Sequence, residues 1–356
     1  MIFLRAPVER SGLDSFGPKT AQALTKQGLD SSFRNLWPAS VYWLFNSGRL
    51  PYGRTIFRNY FASPFAVASL QKAKAGDLAW IQSFCSPCSL SPLAEAHIKS
   101  RGLRYLFQVA DDWFDIDNLR EGTVRRCHLA DLIGVPTPYL RARVLEFVPE
   151  ARVAVFEEPI DLERLKSSSV CGLAEKPVIL WCGNPFNLKH AETLLGVLRQ
   201  VHRVTPFIFR VISGRKPPQC FFDGLTTEWL PFCHEKEASL IAGSWLGIAP
   251  MPDSGYNRCK GAYKVKTYLA AGLPVVASPV GFQRDLIDQG KGVGLLPAST
   301  REWSEAIFSL INNAPKAIEM GKKAQLYARS RFSYEPVVAT WANILREHGL
   351  TTSPKG

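Results

Sequence analysis

The stretch IAPMPDSGYNRCKGAYKVKTYLAAGLPVVASPVG, residues 248–281, carries a strand, a loop, a helix and a second strand in that order. Its first apolar run ends at Pro250, and the polar loop that follows holds Asp253, Tyr256, Asn257, Arg258 and Lys260. A helix opens near Ala262 with Lys264 in its first turn, and Gly272-Leu273-Pro274 ends it and starts the next strand. Glycine just past a helix accepts the left-handed cap conformation, and proline beyond it blocks continuation. Two apolar strands joined through a helix form a parallel pair, because an antiparallel pair needs only a short turn.

The same rhythm extends on both sides. Upstream lie the strand KPVILWCGN, the helix LKHAETLLGVLRQV, the strand FIFRVISG and a helix near HEKEASLIAG. In the N-terminal half MIFLRAP, DLAWIQSF, RYLFQVA, HLADLIGVPT and ARVAVFEE read as strands. Between them PKTAQALTKQG, PLAEAHIKSRG and PYLRARVLEF read as helices, the first two ended by Gly28 and Gly102. The small, polar run LKSSSVCGLAEK reads as a linker. This alternation predicts an α/β protein with two Rossmann-like domains, their parallel sheets facing a central cleft. The expected boundaries are 1–165, a linker at 166–176, 177–335, and a closing helix and tail at 336–356, the helix within RFSYEPVVATWANILREHG.

Composition narrows the function classes. With 356 residues, 46% of them hydrophobic and 21% charged, the chain suits two globular domains. No apolar run is long enough to span a bilayer, and MIFLRAPVERSG lacks the regions of a signal peptide. The eight cysteines then read as reduced thiols of a cytoplasmic protein. Cys85 and Cys88 form a CxxC with neither a second ligand pair nor a thioredoxin-like helix start, so they read as loop residues. The six histidines show no HxxxH or HxH spacing, and no metal site is expected.

The net charge of +12 fits nucleic acid, anionic lipid or phosphorylated small molecules alike. From Ser31 to Gly76 there is no acidic residue, while Arg34, Arg49, Arg54, Arg58, Lys72 and Lys74 alternate with aromatic side chains. That composition allows a peripheral place on an anionic inner membrane face, or aromatic core with solvated cations between.

Parallel sheets bind ligands at the C-terminal ends of their strands. Arg258 and Lys260 in the loop and Lys264 in the first helical turn would give a diphosphate three cations, with the unpaired N–H groups and helix dipole adding to them. The alternative is a solvated basic loop with a good helix cap. Asp111 and Asp112 follow the strand RYLFQVA, where they either face the cleft or form a turn. Trp181, Trp229 and Trp303 suit a core better than a sugar platform, and His128 and His234 suit ordinary polar roles.

The stretch from Pro252 and Asp253 through Arg258, Lys260, Tyr263, Lys264, Tyr268, Ala270 and Gly272–Pro274 to Ser278–Gly281 resembles the donor-site signature of the group 1 (family 4) glycosyltransferases. ILWCGNPFNLKH resembles the first strand and donor loop of that family's C-terminal domain, with Gly183, Asn184 and Asn187 in place. FRVISG, EWLPF, QVADDWFDID and VAVFEEPID extend the likeness over most of the chain.

The resemblance implies a GT-B fold and transfer, with retention, from a nucleotide-sugar donor to a glycan or lipid-linked acceptor. It makes 1–165 the acceptor-side domain and 177–335 the donor-binding one. It assigns Arg258, Lys260, Lys264 and Asp112 to catalysis, and Asp111 with Asp112 to the acceptor side. Donor contacts would come from Gly183, Asn184, Lys189, Gly214, Arg215, Asp253, Tyr256, Asn257, Thr267 and Gly281. Neither metal nor cofactor is needed if these cations carry the departing diphosphate.

One departure stands out. The family's paired glutamates fall at Cys259 and Thr267, the second where the donor ribose is expected. A non-catalytic nucleotide-sugar-binding relative and a GT-B nucleotide-sugar isomerase are the rival readings. A nucleic-acid binder has only the charge in its favour and no recognition motif.

Overall fold

The computed structural model describes residues 1–5, 16–35, 63–83, 92–165 and 172–351. It forms two compact units, Met1–Glu157 together with Val337–Gly356, and Glu158–Pro336. Among the described residues each unit is built on a six-stranded sheet, and every strand pair in both sheets is parallel.

In the first unit the strands are β1 (Ile2–Arg5), β2 (Ser32–Asn35), β3 (Leu78–Ser83), β4 (Arg104–Val109), β5 (Leu132–Val135) and β6 (Val153–Val155). They lie in the order β2-β1-β3-β4-β5-β6. Gly28 and Gly102, just past the helices Phe16–Lys26 and Pro92–Ser100, have φ of +79° and +64°, the left-handed stop expected of them. Trp80 and Phe156 are fully buried in this unit, with ring centroids 5.1 Å apart. Trp341, from the helix Tyr334–Glu347, completes their cluster at 5.3 Å from Trp80 and 5.9 Å from Phe156. Its indole N–H donates to the Glu157 carbonyl at 3.1 Å.

The second unit contains β7 (Val178–Cys182), β8 (Ile208–Ser213), β9 (Thr226–Pro231), β10 (Leu246–Ala249), β11 (Val275–Ala277) and β12 (Gly294–Leu295). Their order is β12-β11-β10-β7-β8-β9. The chain therefore builds outward from β7 to one edge, then returns to the other side of β7 with β10. Loops leaving neighbouring strands at such a reversal diverge and open a crevice. The reversal sits between Cys182 and Ala249, the C-terminal ends of β7 and β10. In the first unit it falls between β1 and β3, and the loops leaving those strands, 6–15 and 84–91, lie outside the described residues.

The long helix Ala314–Phe332 backs the second sheet's helix layer. Its Gly321 is a contact requirement, since a Cβ there would stand 2.2 Å from the Gly272 carbonyl oxygen. Arg49, Arg54, Arg58 and most of the aromatics of the acid-free segment fall at 36–62, outside the described residues, as do Cys85, Cys88 and Cys171. The other five cysteines are free thiols. Among the described residues no helix is long and apolar enough to cross a membrane.

Candidate functional site

The helix Tyr263–Ala270 is held beneath the β7–β10 reversal by Tyr268. This ring is fully buried, and its phenol oxygen accepts the Cys182 backbone N–H at 2.7 Å. The helix N-terminus is thereby fixed beside the exit of β7. Ala262, which precedes the first turn, is left-handed at φ +53° and offers no side-chain cap, so it provides no partner for the unpaired N–H groups of that turn. A non-glycine residue in this region stores strain, and such strain gathers at functional sites.

Lys264 rises from that first turn and places its Nζ 4.1 Å from the centre of the Trp181 indole. Gly183 closes the other side, for a Cβ on it would come within 3.1 Å of the indole and 3.2 Å of Nζ. Lys264 makes no ion pair with a described residue. Burial, seconded by the like charge of Lys260, pushes its ammonium down to about 7, with Cys182 opposing. Burial likewise pushes the Cys182 thiol up to about 12, so it stays neutral and is no nucleophile near neutral pH.

The segment after β7 adds two more groups. The Asn184 side chain accepts the Phe186 N–H at 3.0 Å and so starts the turn Pro185–Asn187, which leads into the short helix Leu188–Glu192. Lys189 on it is exposed, whereas His190 is only 7% exposed. Burial first, then the charges of Lys260, Lys264 and Lys189, push His190 down to about 4. Four nitrogen bases from two distant segments thus act on one another at a half-dry strand end. Positive charges crowded in this way favour a polyanion, and the uncapped helix turn offers it N–H donors.

The remaining expected residues are placed differently. Arg258 is exposed and bound to Asp253 through two bonds, Nε–Oδ1 at 2.6 Å and Nη2–Oδ2 at 2.8 Å, and this guanidinium holds the Asp253 carboxyl below its usual range. The backbone of Arg258 packs on Gly281, where a Cβ would stand 2.4 Å from the Arg258 carbonyl oxygen and φ is +49°. Asn257 is buried and ties the loop together through the Pro252 carbonyl at 2.9 Å. Lys260 lies 4.9 Å over the Tyr256 ring. Gly214 and Arg215 are exposed at the exit of β8, and a Cβ on Gly214 would sit 3.8 Å from the Pro185 ring.

Thr267 requires a correction. It is 3% exposed and its hydroxyl donates to the Tyr263 carbonyl one turn back at 3.0 Å, so it presents no open hydroxyl to a ribose. Cys259 is buried as well. In the first unit Asp112 is fully buried and occupied, accepting the Phe114 N–H at 3.1 Å and pairing with Arg143 at 3.2 Å. That is the geometry of a turn former and not of an open carboxylate facing a cleft. Asp111 beside it is half-buried. Trp181 and Trp303 lie in the second unit's core and Trp229 packs against it, while His128 pairs with Glu150 at 2.8 Å. His190, the bond from Cys182 to Tyr268 and the Trp181–Lys264 stacking are not legible in the sequence, because each gains its meaning from a partner far along the chain.

Residues 176–313 match the family model described as Glycosyl transferases group 1. No curated protein sequence matches the chain. Among solved structures, sucrose-phosphate synthase from Thermosynechococcus elongatus superposes with a TM-score of 0.70 at 17% identity, covering 97% of this chain and 98% of that one. HepE from Anabaena, solved in complex with UDP and glucose, gives a TM-score of 0.69 at 14% identity, covering 98% of this chain and 100% of its own. TarM from S. aureus, solved with UDP, fondaparinux and α-GlcNAc-glycerol, gives 0.60 at 13% identity, covering 80% of this chain and 58% of that one. At such identities the likeness speaks for the fold, two parallel α/β sheets of the GT-B kind. That fold runs through both units, and the match to the group 1 glycosyltransferases lies within the second, at residues 176–313.

Proposed function

We propose that the chain moves a hexose-type sugar, with retention and without a metal, from a nucleotide-sugar donor to a glycan or lipid-linked acceptor. The observation that carries the donor half of this reading is the crowding of Lys260, Lys264 and Lys189 on His190 at the end of β7, with an uncapped helix turn alongside. Cleavage of the donor bond leaves added negative charge on the departing diphosphate. Fixed cations stabilise that charge more in the transition state than in the bound donor, which is what accelerates the step. Lys264 and Lys260 are assigned this role, with Lys189 and the backbone at Gly183 and Asn184 completing the diphosphate contacts. Arg258 joins them only by exchanging Asp253 for a phosphate oxygen.

HepE and TarM were both solved in complex with UDP, which makes UDP and UDP-glucose the first probes. The test is a thermal-shift screen over UDP-, GDP-, dTDP- and CMP-sugars, followed by a donor-turnover assay. A ligand at 100 times its Kd adds about 2.7 kcal/mol of stability. Stabilisation with turnover supports a transferase; stabilisation without turnover or hydrolysis on any acceptor favours the non-catalytic relative, for which the occupied Thr267 hydroxyl speaks. No stabilisation by any nucleotide would sink the reading.

The acid-free composition of 31–76 supports a cytoplasmic protein that works at an anionic membrane face. Co-sedimentation with phosphatidylglycerol vesicles should fall with salt and when Arg49, Arg54 and Arg58 are changed to serine.

A further inference from the structure

We propose that Trp181 is a positioning residue of the donor site, its indole face holding the Lys264 ammonium at the C-terminal end of β7. The inference rests on the donor-site reading only for what the ammonium serves.

The geometry is specific. The ammonium stands 4.1 Å from the ring centre, within the range where a cation is drawn to an aromatic face, and tryptophan has the strongest such face. The ring itself cannot turn aside, since Trp181 is fully buried among Phe209, Val211, Leu198 and Ile248. Gly183 confines the pair from the far side, where any Cβ would press on both ring and ammonium.

No other described group attracts this ammonium at contact distance. Facing it are the neutral Cys182 on β7, Lys260 on the preceding loop and His190 on the helix after β7. Two of these are cations or bases. An ammonium so placed would swing toward solvent unless something held it.

A second observation makes core packing alone a poor account of Trp181. Its indole Nε1 is buried and has no hydrogen-bond partner. A buried unpaired N–H is destabilising, and phenylalanine would fill an apolar site without that penalty. The tryptophan keeps the disfavoured N–H and supplies the larger, more electron-rich face directly under Lys264.

The test follows Lys264 in the intact protein by NMR of its ¹³C-labelled side chain, assigned with Lys264→Arg. In the unliganded protein the Lys264 Hε signals should be shifted upfield by the indole ring current. Trp181→Phe should reduce that shift and lower the proton affinity of Lys264 by about threefold, moving its titration to lower pH. An unshifted Hε signal in the native protein, or the same titration in Trp181→Phe as in the native protein, would overturn the proposal. Adding UDP then examines the donor site separately, for bound diphosphate should move the Lys264 titration to higher pH. If UDP has no such effect while the Trp181 dependence holds, the donor reading fails and the positioning role stands.

Discussion

Tyr268 lies against Gly247 so closely that a Cβ on Gly247 would stand 2.3 Å from its ring. The glycine is in β10, where it pairs with Leu180 of β7 and Val275 of β11, so the ring rests on the middle of the sheet. The same tyrosine takes the Cys182 N–H, and the helix that carries Lys264 is thereby keyed to both strands of the reversal. Gly247→Ala should destabilise the fold by about 1–3 kcal/mol through overpacking. Urea unfolding would measure this, and weaker UDP affinity should accompany it because Lys264 shifts with the helix.

Tyr268→Phe isolates the hydrogen bond from the packing. It should lower stability by about 1–3 kcal/mol, the range for leaving a buried polar group unpaired. Equal urea midpoints for native and variant proteins would show that water replaces the phenol at Cys182.

Lys264→Met keeps the stem and removes the charge. Losing one charge-assisted contact of about 1.5–3 kcal/mol should weaken UDP binding roughly 10- to 100-fold. The variant also changes the pH dependence of stability. Lys264 is held at about 7 against 10.5 in the unfolded chain, so the native state binds fewer protons in that interval. Its contribution makes stability rise as pH rises through the window, and Lys264→Met should flatten that rise in urea midpoints measured across it.

His190 acts at the acid end. Held at about 4 against 6.5, it remains neutral in the native state while the unfolded chain takes up its proton. Stability is therefore lost as pH falls from 6.5 toward 4, and His190→Gln should make that loss shallower. Inorganic pyrophosphate should do the same in the native protein by offsetting the three lysines. An unchanged acid slope with pyrophosphate, given binding by calorimetry, would separate His190 from the anion site.

Ala262→Gly relieves the left-handed strain before the Lys264 turn. The left-handed conformation costs an alanine about 1 kcal/mol relative to glycine, and the variant should gain up to that amount in thermal or urea unfolding.

The fold was readable because glycine and periodicity spoke locally, as at Gly28, Gly102 and Gly272, each at positive φ past a helix. The helix Ala314–Phe332 is harder to read, since Gly321 in its middle resembles a breaker and its necessity lies in the Gly272 carbonyl some fifty residues earlier. The candidate site divides in the same way. Lys260 and Lys264 share a loop and a helix start, which the sequence displays side by side. Arg258 stands in the same motif, but its pairing with Asp253 depends on the short helix Gly255–Arg258 folding the loop back on itself. His190 is a lone histidine with no spacing signal, and only the approach of a loop seventy residues on makes it an anion-site neighbour.

Trp341 packing on Trp80 and Phe156 has a consequence for the order of events during synthesis. The first unit's central cluster lacks one of its three large rings until residues 337–347 have left the ribosome. At about 5–20 residues per second, some 180 residues take roughly 10–40 s to follow β6. For that interval the N-terminal cluster of Trp80 and Phe156 lacks the Trp341 ring, whereas β7 to β12 of the second unit are all present once Leu295 has emerged. The unit that emerges first is the one that finishes last, and chaperone capture of nascent chains should end only when the Tyr334–Glu347 helix has docked.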